Sequence, residues 1–309
     1  MLILFLTLLL AGCQSVSDLQ PKPNALPASV VEVLETEFPG YTDITVTPLE
    51  KDKVWSARLR VDTSRYDVVL NRTKILSRFK MVGSSVPAAV VGQISSTVLS
   101  GGTFSEYGQR QRKSNEFPDR EYSARYVWNT TGFFATWTSL IPSSGRLDLY
   151  PEVEISYLTT QLDDLPEEIQ NTIQRKINEV RVDPKIPFQL EFWNARVYHH
   201  RNKKKTYEIS FLGPQLEIGQ DGQVIFWNFG QGHNNGFDIL LNRDEVPQAI
   251  NEYIDSDPIA RTFPKFQAVR FTESGTKRYR IILSANSLLY LLYFDEKNTL
   301  VRQYYQYYF

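Results

Sequence analysis

Hydrophobic and polar positions along the chain repeat one pattern four times. A Leu-Pro or Val-Pro pair opens each copy, at Pro27, Pro87, Pro166 and Pro247, and aliphatic residues follow three and seven positions after the proline. Proline fits the first turn of a helix, and apolar residues four apart lie on one helical face. Each copy therefore predicts a short helix with one buried stripe. The stripes pair Val30 with Leu34, Val90 with Ile94, Ile169 with Ile173, and Ile250 with Ile254.

After each helix the period of the apolar residues changes to two, which predicts β-strands. Polar turns separate the alternating runs, so consecutive strands are expected to pair antiparallel. The runs include Trp55 to Val61, Tyr66 to Leu70, Tyr122 to Trp128, Phe188 to Phe192 and Tyr279 to Leu283. Glu154 to Thr160 and Phe237 to Asn242 are candidates for an extra strand between copies. The pattern predicts an α+β fold of four tandem αβββ repeats, each a helix followed by about three antiparallel strands.

The predicted repeats cover residues 26–82, 83–162, 163–243 and 244–309. Their element order, their Leu/Val-Pro helix starts and their aromatic-rich hairpins resemble the PepSY-like family, also described as β-lactamase-inhibitor-like. The resemblance covers residues 26 to 309 and implies envelope-bound or secreted modules that bind or inhibit proteins through a sheet face. It implies no catalytic residues.

The N-terminal segment carries a second resemblance. The apolar run from Met1 to Leu10 is about half of the roughly 20 residues that a spanning helix needs. The segment Leu10-Ala11-Gly12-Cys13 closes it and resembles the lipobox of bacterial lipoproteins. This resemblance implies that residues 1–12 are a signal peptide and that Cys13 carries acyl chains such as palmitate, which anchor the protein in a membrane. No Lys or Arg precedes the apolar run, which leaves the true translation start open.

Residues 13–25 are expected to form a tether, because they lack periodicity and contain Pro21 and Pro23. Gln14 and Ser15 follow the cysteine, without the aspartate that commonly retains such lipoproteins in the inner membrane. The resemblance therefore implies attachment to the outer membrane, facing the periplasm, with the cell surface as the alternative.

Composition excludes several classes of protein. With 42% hydrophobic and 22% charged residues, the chain is expected to be folded. The 34 Lys and Arg nearly balance 35 Asp and Glu, which argues against nucleic acid as a partner, because phosphate binding needs a basic excess. Cys13 is the only cysteine, so no internal disulfide is expected.

Catalytic and metal-binding motifs are missing from the sequence. The neighbours His199 and His200 lie on a predicted strand and should point to opposite faces, while His233 lies in a Gly-rich loop. The chain contains no HExxH, GxSxG or phosphate-binding loop. We therefore expect no cofactor, no metal site and no catalytic residues.

Two sets of residues are candidates for partner binding. Large aromatic side chains dominate binding hot spots, although core packing is the alternative for each of them. The aromatic candidates are Trp55, Trp137, Trp193 and Trp227. The basic candidates, Arg201, Lys203, Lys204 and Lys205, are expected either to attract an anionic partner or to form a solvated hairpin tip.

The sequence thus favours a non-catalytic, membrane-anchored envelope lipoprotein that binds or inhibits a protein or envelope polymer. Two alternatives stay open, a structural subunit of an envelope complex and an enzyme of unfamiliar type.

Overall fold

A computed structural model describes residues 26–83, 85–111, 120–141, 144–181, 189–211, 214–228, 239–273 and 275–308. Cys13, the predicted signal peptide and tether, Phe188 and His233 lie outside these ranges. In the part of the chain that is described, no helix has the length and apolar character needed to cross a membrane. The α-helices are α1 (Ala28–Glu37), α2 (Ala88–Ser95), α3 (Glu167–Arg181) and α4 (Gln248–Ser256).

The strands run throughout the described ranges. They are β1 (Thr42–Glu50), β2 (Val54–Val61), β3 (Ser64–Asn71), β4 (Ile75–Gly83), β5 (Thr103–Arg110), β6 (Arg120–Trp128), β7 (Thr131–Ile141), β8 (Ser144–Pro151), β9 (Val153–Thr159), β10 (Phe192–His200), β11 (Lys205–Phe211), β12 (Gln215–Gly219), β13 (Val224–Asn228), β14 (Ile239–Leu241), β15 (Lys265–Glu273), β16 (Thr276–Ala285), β17 (Leu288–Phe294) and β18 (Leu300–Tyr308).

The predicted helix starts are confirmed. Each helix begins at the residue after one of the four prolines, whose carbonyl accepts the first helical bonds, as Pro27 does from the Val30 amide at 2.9 Å. All eight predicted stripe residues are buried. Local chemistry therefore fixes where the helices begin and which face they bury.

The predicted fold class of four αβββ repeats is wrong. In the described ranges four strands follow α1 and α4, and five follow α2 and α3, because β9 and β14 form in the two stretches expected to add a strand between copies. Instead of four sheets, antiparallel pairing gives a 13-stranded sheet, in the order β1-β2-β3-β4-β5-β6-β7-β8-β18-β17-β16-β15-β14, and a five-stranded sheet, in the order β13-β12-β11-β10-β9. Unpaired strand edges are unfavourable, and β4 pairs with β5 and β8 with β18, which removes edges that separate modules would expose.

The helices cover the outer faces of the two sheets. Helices α1, α2 and α4 pack on one face of the 13-stranded sheet, where their stripes contact residues such as Leu59, Tyr126 and Ile281. Helix α3 packs on the five-stranded sheet, against residues such as Val197 and Ile209. The two remaining faces meet, and an aromatic cluster fills part of the space between them. The fold is predominantly antiparallel β, with a sheet-on-sheet interface at its centre.

Arginines from the large sheet cap both edges of the small one. Arg125 on β6 donates to the Val153 carbonyl of β9 at 2.6 Å and also to that of Glu154. Arg278 on β16 donates to the Val224 carbonyl of β13. Charged donors that occupy edge carbonyls disfavour the addition of another strand.

A charge cluster joins the two sheets at their interface. Arg302 on β18 is buried and pairs with Glu217 on β12 and, at 3.4 Å, with Glu208 on β11. The Tyr198 hydroxyl donates to Glu208 at 2.9 Å, and the Arg302 guanidinium lies 5.0 Å from the ring centres of Tyr198 and Tyr304. We call Arg302, Glu208 and Glu217 the inter-sheet charge cluster.

The two carboxylates of the cluster titrate differently. Burial raises the pKa of Glu217 above its ordinary value, although the charge of Arg302 opposes this effect. Burial also acts to raise the pKa of Glu208, but the charges of Arg302 and Arg196 outweigh it and lower the pKa. Arg302 and Arg196 thus favour the ionised form of Glu208.

Arg302→Met is expected to lower the free energy of unfolding by about 3–5 kcal/mol, because it removes the ion-pair partner of the buried Glu217. Urea unfolding measures the change. Arg58→Met is the control: it breaks an exposed 3.2 Å pair with Asp67 and should cost less than about 1 kcal/mol. An Arg302→Met protein as stable as the Arg58→Met protein would contradict the structural role of the cluster.

Candidate functional site

Four turns meet at one end of the two sheets and surround a cleft of about 650 Å³. They are residues 151–152 between β8 and β9, 201–204 between β10 and β11, 220–223 between β12 and β13, and 295–299 between β17 and β18. We call this space the seam cleft. Its volume lies within the range of roughly 300–1,000 Å³ that is usual for small-molecule sites.

Three of the turns owe their shape to an Asn or Asp side chain. The side-chain oxygen of Asn202 accepts a bond from the Lys204 amide at 3.0 Å, and that of Asp221 accepts one from the Gln223 amide at 3.1 Å. Asp295 accepts from the amides of Lys297 and Thr299 at 2.9 and 2.8 Å. Such turns recur where Asn and Asp imitate the backbone, and they give the rim of the cleft a fixed form.

The fourth turn connects the two sheets directly. The Arg201 amide donates to the Glu152 carbonyl at 2.8 Å, and the Glu152 amide donates to the Gly132 carbonyl at 2.9 Å. A side chain at Gly132 would place its Cβ 2.9 Å from Nη2 of Arg201. Glycine therefore lets the Arg201 guanidinium lie against the β6–β7 turn.

The floor of the cleft contains His200, Thr206, Arg278 and Arg302. Nε2 of His200 lies 3.1 Å from the Thr206 hydroxyl. Burial, followed by the charges of Arg302 and Lys204, lowers the pKa of His200 to about 4. This imidazole is consequently neutral at neutral pH.

The two arginines of the floor are already paired. Arg278 contacts Glu296 at 3.0 Å in addition to the Val224 carbonyl, and Arg302 belongs to the inter-sheet charge cluster. Their guanidinium groups are fixed before any ligand arrives.

Side chains of both charge signs line the rim of the cleft. Lys204 is exposed and, in the described ranges, has no ion pair, whereas Lys205 pairs with Glu50 at 2.9 Å and donates to the Leu49 carbonyl at 2.8 Å. Glu152, Asp221 and Asp295 also line the cleft, and within the described chain none of them is paired with a cation. The described lining residues include no Phe, Tyr or Trp.

The structure separates the four tryptophan candidates. Trp55, Trp137 and Trp227 are buried in the hydrophobic cores, which is the alternative that the sequence left open. Trp193 is 61% exposed.

The basic candidates do not form one patch. Arg201 lies 4.0 Å from Glu154. Lys204 lines the seam cleft, and Lys203 is not among the described lining residues. Lys205 is half-buried in its pair with Glu50. Lys203 and Lys204 are therefore neighbours in one turn with different surroundings.

The two neighbouring histidines face different environments, as the strand pattern predicts. His199 lies 5.9 Å from the Tyr157 ring and 4.0 Å from Glu50, and burial lowers its pKa to about 3. His200 lies in the floor of the seam cleft. Within the described ranges, no three His, Cys, Asp or Glu residues gather where they could hold a metal ion.

Sequence reasoning missed Glu208, Glu217, Arg278 and Arg302. On an alternating strand such charged positions indicate a solvent-exposed face, and here a second sheet covers that face. The sequence does show acidic residues on β11 and β12 and arginines on the distant β16 and β18. It does not show which of them pair, because the pairing depends on the order of the strands in the sheets.

His200→Gln is expected to remove part of the acid sensitivity of folding. The pKa of His200 in the folded protein, about 4, lies below the ordinary value of 6.5. The contribution of the neutral His200 to the free energy of unfolding is therefore complete above pH 6.5 and is lost as the pH falls toward 4. The stability advantage of wild type over the variant should shrink by about 2–3 kcal/mol between pH 7.5 and 4.5. Urea unfolding at both pH values measures it, with Lys203→Gln as the control; a difference that does not change with pH would refute the assignment.

No family model matches this chain, and no curated protein matches it significantly. Its function is therefore inferred from the chemistry of its own residues.

Proposed function

We propose that the protein is a lipid-anchored envelope protein that binds a partner without catalysing a reaction, and that Trp193 is the anchor of its binding surface. The anchoring part of the proposal rests on the lipobox resemblance at Cys13. The binding part rests on one observation, the exposure of 61% of Trp193 while Trp55, Trp137 and Trp227 are buried.

A β-bulge accounts for the exposure of Trp193. On β10, Phe192 pairs with Phe211 and Asn194 pairs with Ser210, so Trp193 is an extra residue without a partner in the register. Bulges redirect a side chain out of the regular alternation of a strand. Phe192 packs against the core, and Trp193 presents its ring to solvent.

An exposed tryptophan has the properties of a binding anchor. Its ring offers a large apolar area with few rotatable bonds, and its indole N–H can donate to a partner. Tryptophan is among the residues most enriched at hot spots, where burial on binding contributes 2 kcal/mol or more. The partner class that suits this residue is a protein with an apolar pocket.

The chemistry of the seam cleft favours binding over catalysis. His200 has a pKa of about 4, far below the neutral range in which a general acid or base works best. Arg278 and Arg302 are held by Glu296 and by the inter-sheet charge cluster.

A structural role in an envelope assembly is the second candidate, and the edge of the large sheet favours it. Ile239 and Leu240 on β14 are 42% and 67% exposed, and β14 pairs only with β15 among the described strands. An apolar edge strand is a site at which another chain can add a strand.

Trp193→Ala is expected to reduce partner capture at least tenfold, since it removes an anchor of roughly 2 kcal/mol. Capture is measured by crosslinking the detergent-extracted protein to envelope proteins and quantifying the bound partner by mass spectrometry. Val127→Ala, a truncation of another exposed apolar residue on β6, is the control and should leave capture unchanged.

Unchanged capture by Trp193→Ala would defeat the proposal. Loss of capture with Leu240→Lys but not with Trp193→Ala would instead assign the contact to the β14 edge and support the assembly role.

A further inference from the structure

We propose that the seam cleft is a second binding site, which takes a short peptide with a free ammonium group and a free carboxylate. This site is separate from Trp193. The cleft adjoins the C-terminal end of β10, whereas Trp193 is at its N-terminal end, so roughly 25 Å of strand separates them at about 3.3 Å per residue.

The size of the cleft distinguishes it from the other cavities described. Two further cavities measure about 100 and 10 Å³, too small for a peptide. The seam cleft, at about 650 Å³, is large enough for a molecule of a few residues.

The charges on the rim select a zwitterion. Lys204 offers a cation without an ion pair in the described ranges, and a carboxylate is its natural partner. Glu152, Asp221 and Asp295 offer carboxylates to an ammonium group. The three acids would repel a purely anionic ligand, and Lys204 would repel a purely cationic one.

The neutral polar groups of the rim suit a peptide backbone. Asn202, Gln220 and Gln223 are exposed amides, each with donor and acceptor atoms like the peptide group itself. Asn202 and Gln220 use their oxygens for the backbone amides of Lys204 and Lys205, which leaves their NH₂ groups to donate to a ligand. The described lining contains no Phe, Tyr or Trp, so the cleft lacks the large stacking surfaces that nucleic-acid bases use.

The cleft is organised before a ligand binds. The side chains of Asn202, Asp221 and Asp295 fix their turns, and paired carboxylates fix Arg278 and Arg302 in the floor. Preorganisation lowers the entropic cost of binding. A rigid site with fixed charges of both signs discriminates ligands by where their own charges lie.

Calorimetric titration of the detergent-solubilised full chain tests the proposal, with trialanine as the probe. Blocked forms serve as comparisons: N-acetyl-trialanine lacks the ammonium group, and trialanine amide lacks the carboxylate. Trialanine should bind, and each block should weaken binding about tenfold, equivalent to 1.4 kcal/mol.

Two substitutions assign the charges. Lys204→Gln should lower the affinity for trialanine about tenfold and leave the affinity for trialanine amide unchanged. Asp221→Asn should lower the affinity for trialanine more than the affinity for N-acetyl-trialanine. The turn should be preserved, because asparagine retains the oxygen that accepts from the Gln223 amide. Lys203→Gln is the matched control, because it removes an exposed charge from the same turn without touching the described lining of the cleft.

Three outcomes would overturn the proposal: no binding of trialanine at millimolar concentration, equal binding of the blocked forms, or equal losses with Lys203→Gln and Lys204→Gln. Trp193→Ala should bind trialanine like wild type, so this result is independent of the crosslinking experiment.

Discussion

The inter-sheet charge cluster is the interaction on which the relative placement of the two sheets depends. Removing charges from water is costly, and a buried pair is tolerated only where geometry and further hydrogen bonds compensate for the lost hydration. Arg302 meets these conditions through Glu208, Glu217 and the surrounding tyrosines. Hydrophobic contacts are non-directional, whereas the ion pairs of Arg302 with Glu208 and Glu217 form in one alignment of β18 against β11 and β12. We infer that it specifies how the sheets align.

The same arginine links the fold to the seam cleft. Arg302 lies in the floor of the cleft, and its charge contributes to the low pKa of His200. The turns that form the rim belong to both sheets, so the shape of the cleft follows from their alignment. In the proposed function, a lipid at Cys13 would hold this cleft and Trp193 close to the membrane, where tethering raises the effective concentration of both sites.

The sequence predicts the local features and misses the distant ones. Helix starts follow from the prolines and from stripes such as Ile169 and Ile173, which involve neighbours in the chain. Sheet order depends on which strand edges meet, and nothing in the alternation of β8 indicates that it pairs with β18, about 150 residues further along the chain. Glu208, between Thr206 and Ser210, has the pattern of a solvent-facing strand. Trp193 differs from the buried tryptophans by a bulge that only the register reveals.

Native-state hydrogen exchange of the wild-type chain, measured by mass spectrometry at increasing denaturant, tests most directly whether the charge cluster makes the two sheets one cooperative unit. We expect the amides of β11 and β12 to open with the same free energy as those of β17 and β18, and all of them to converge on global unfolding. If β11 and β12 exchanged at a free energy several kcal/mol lower while β17 and β18 stayed protected, the small sheet would open separately, and the cluster would not join the sheets.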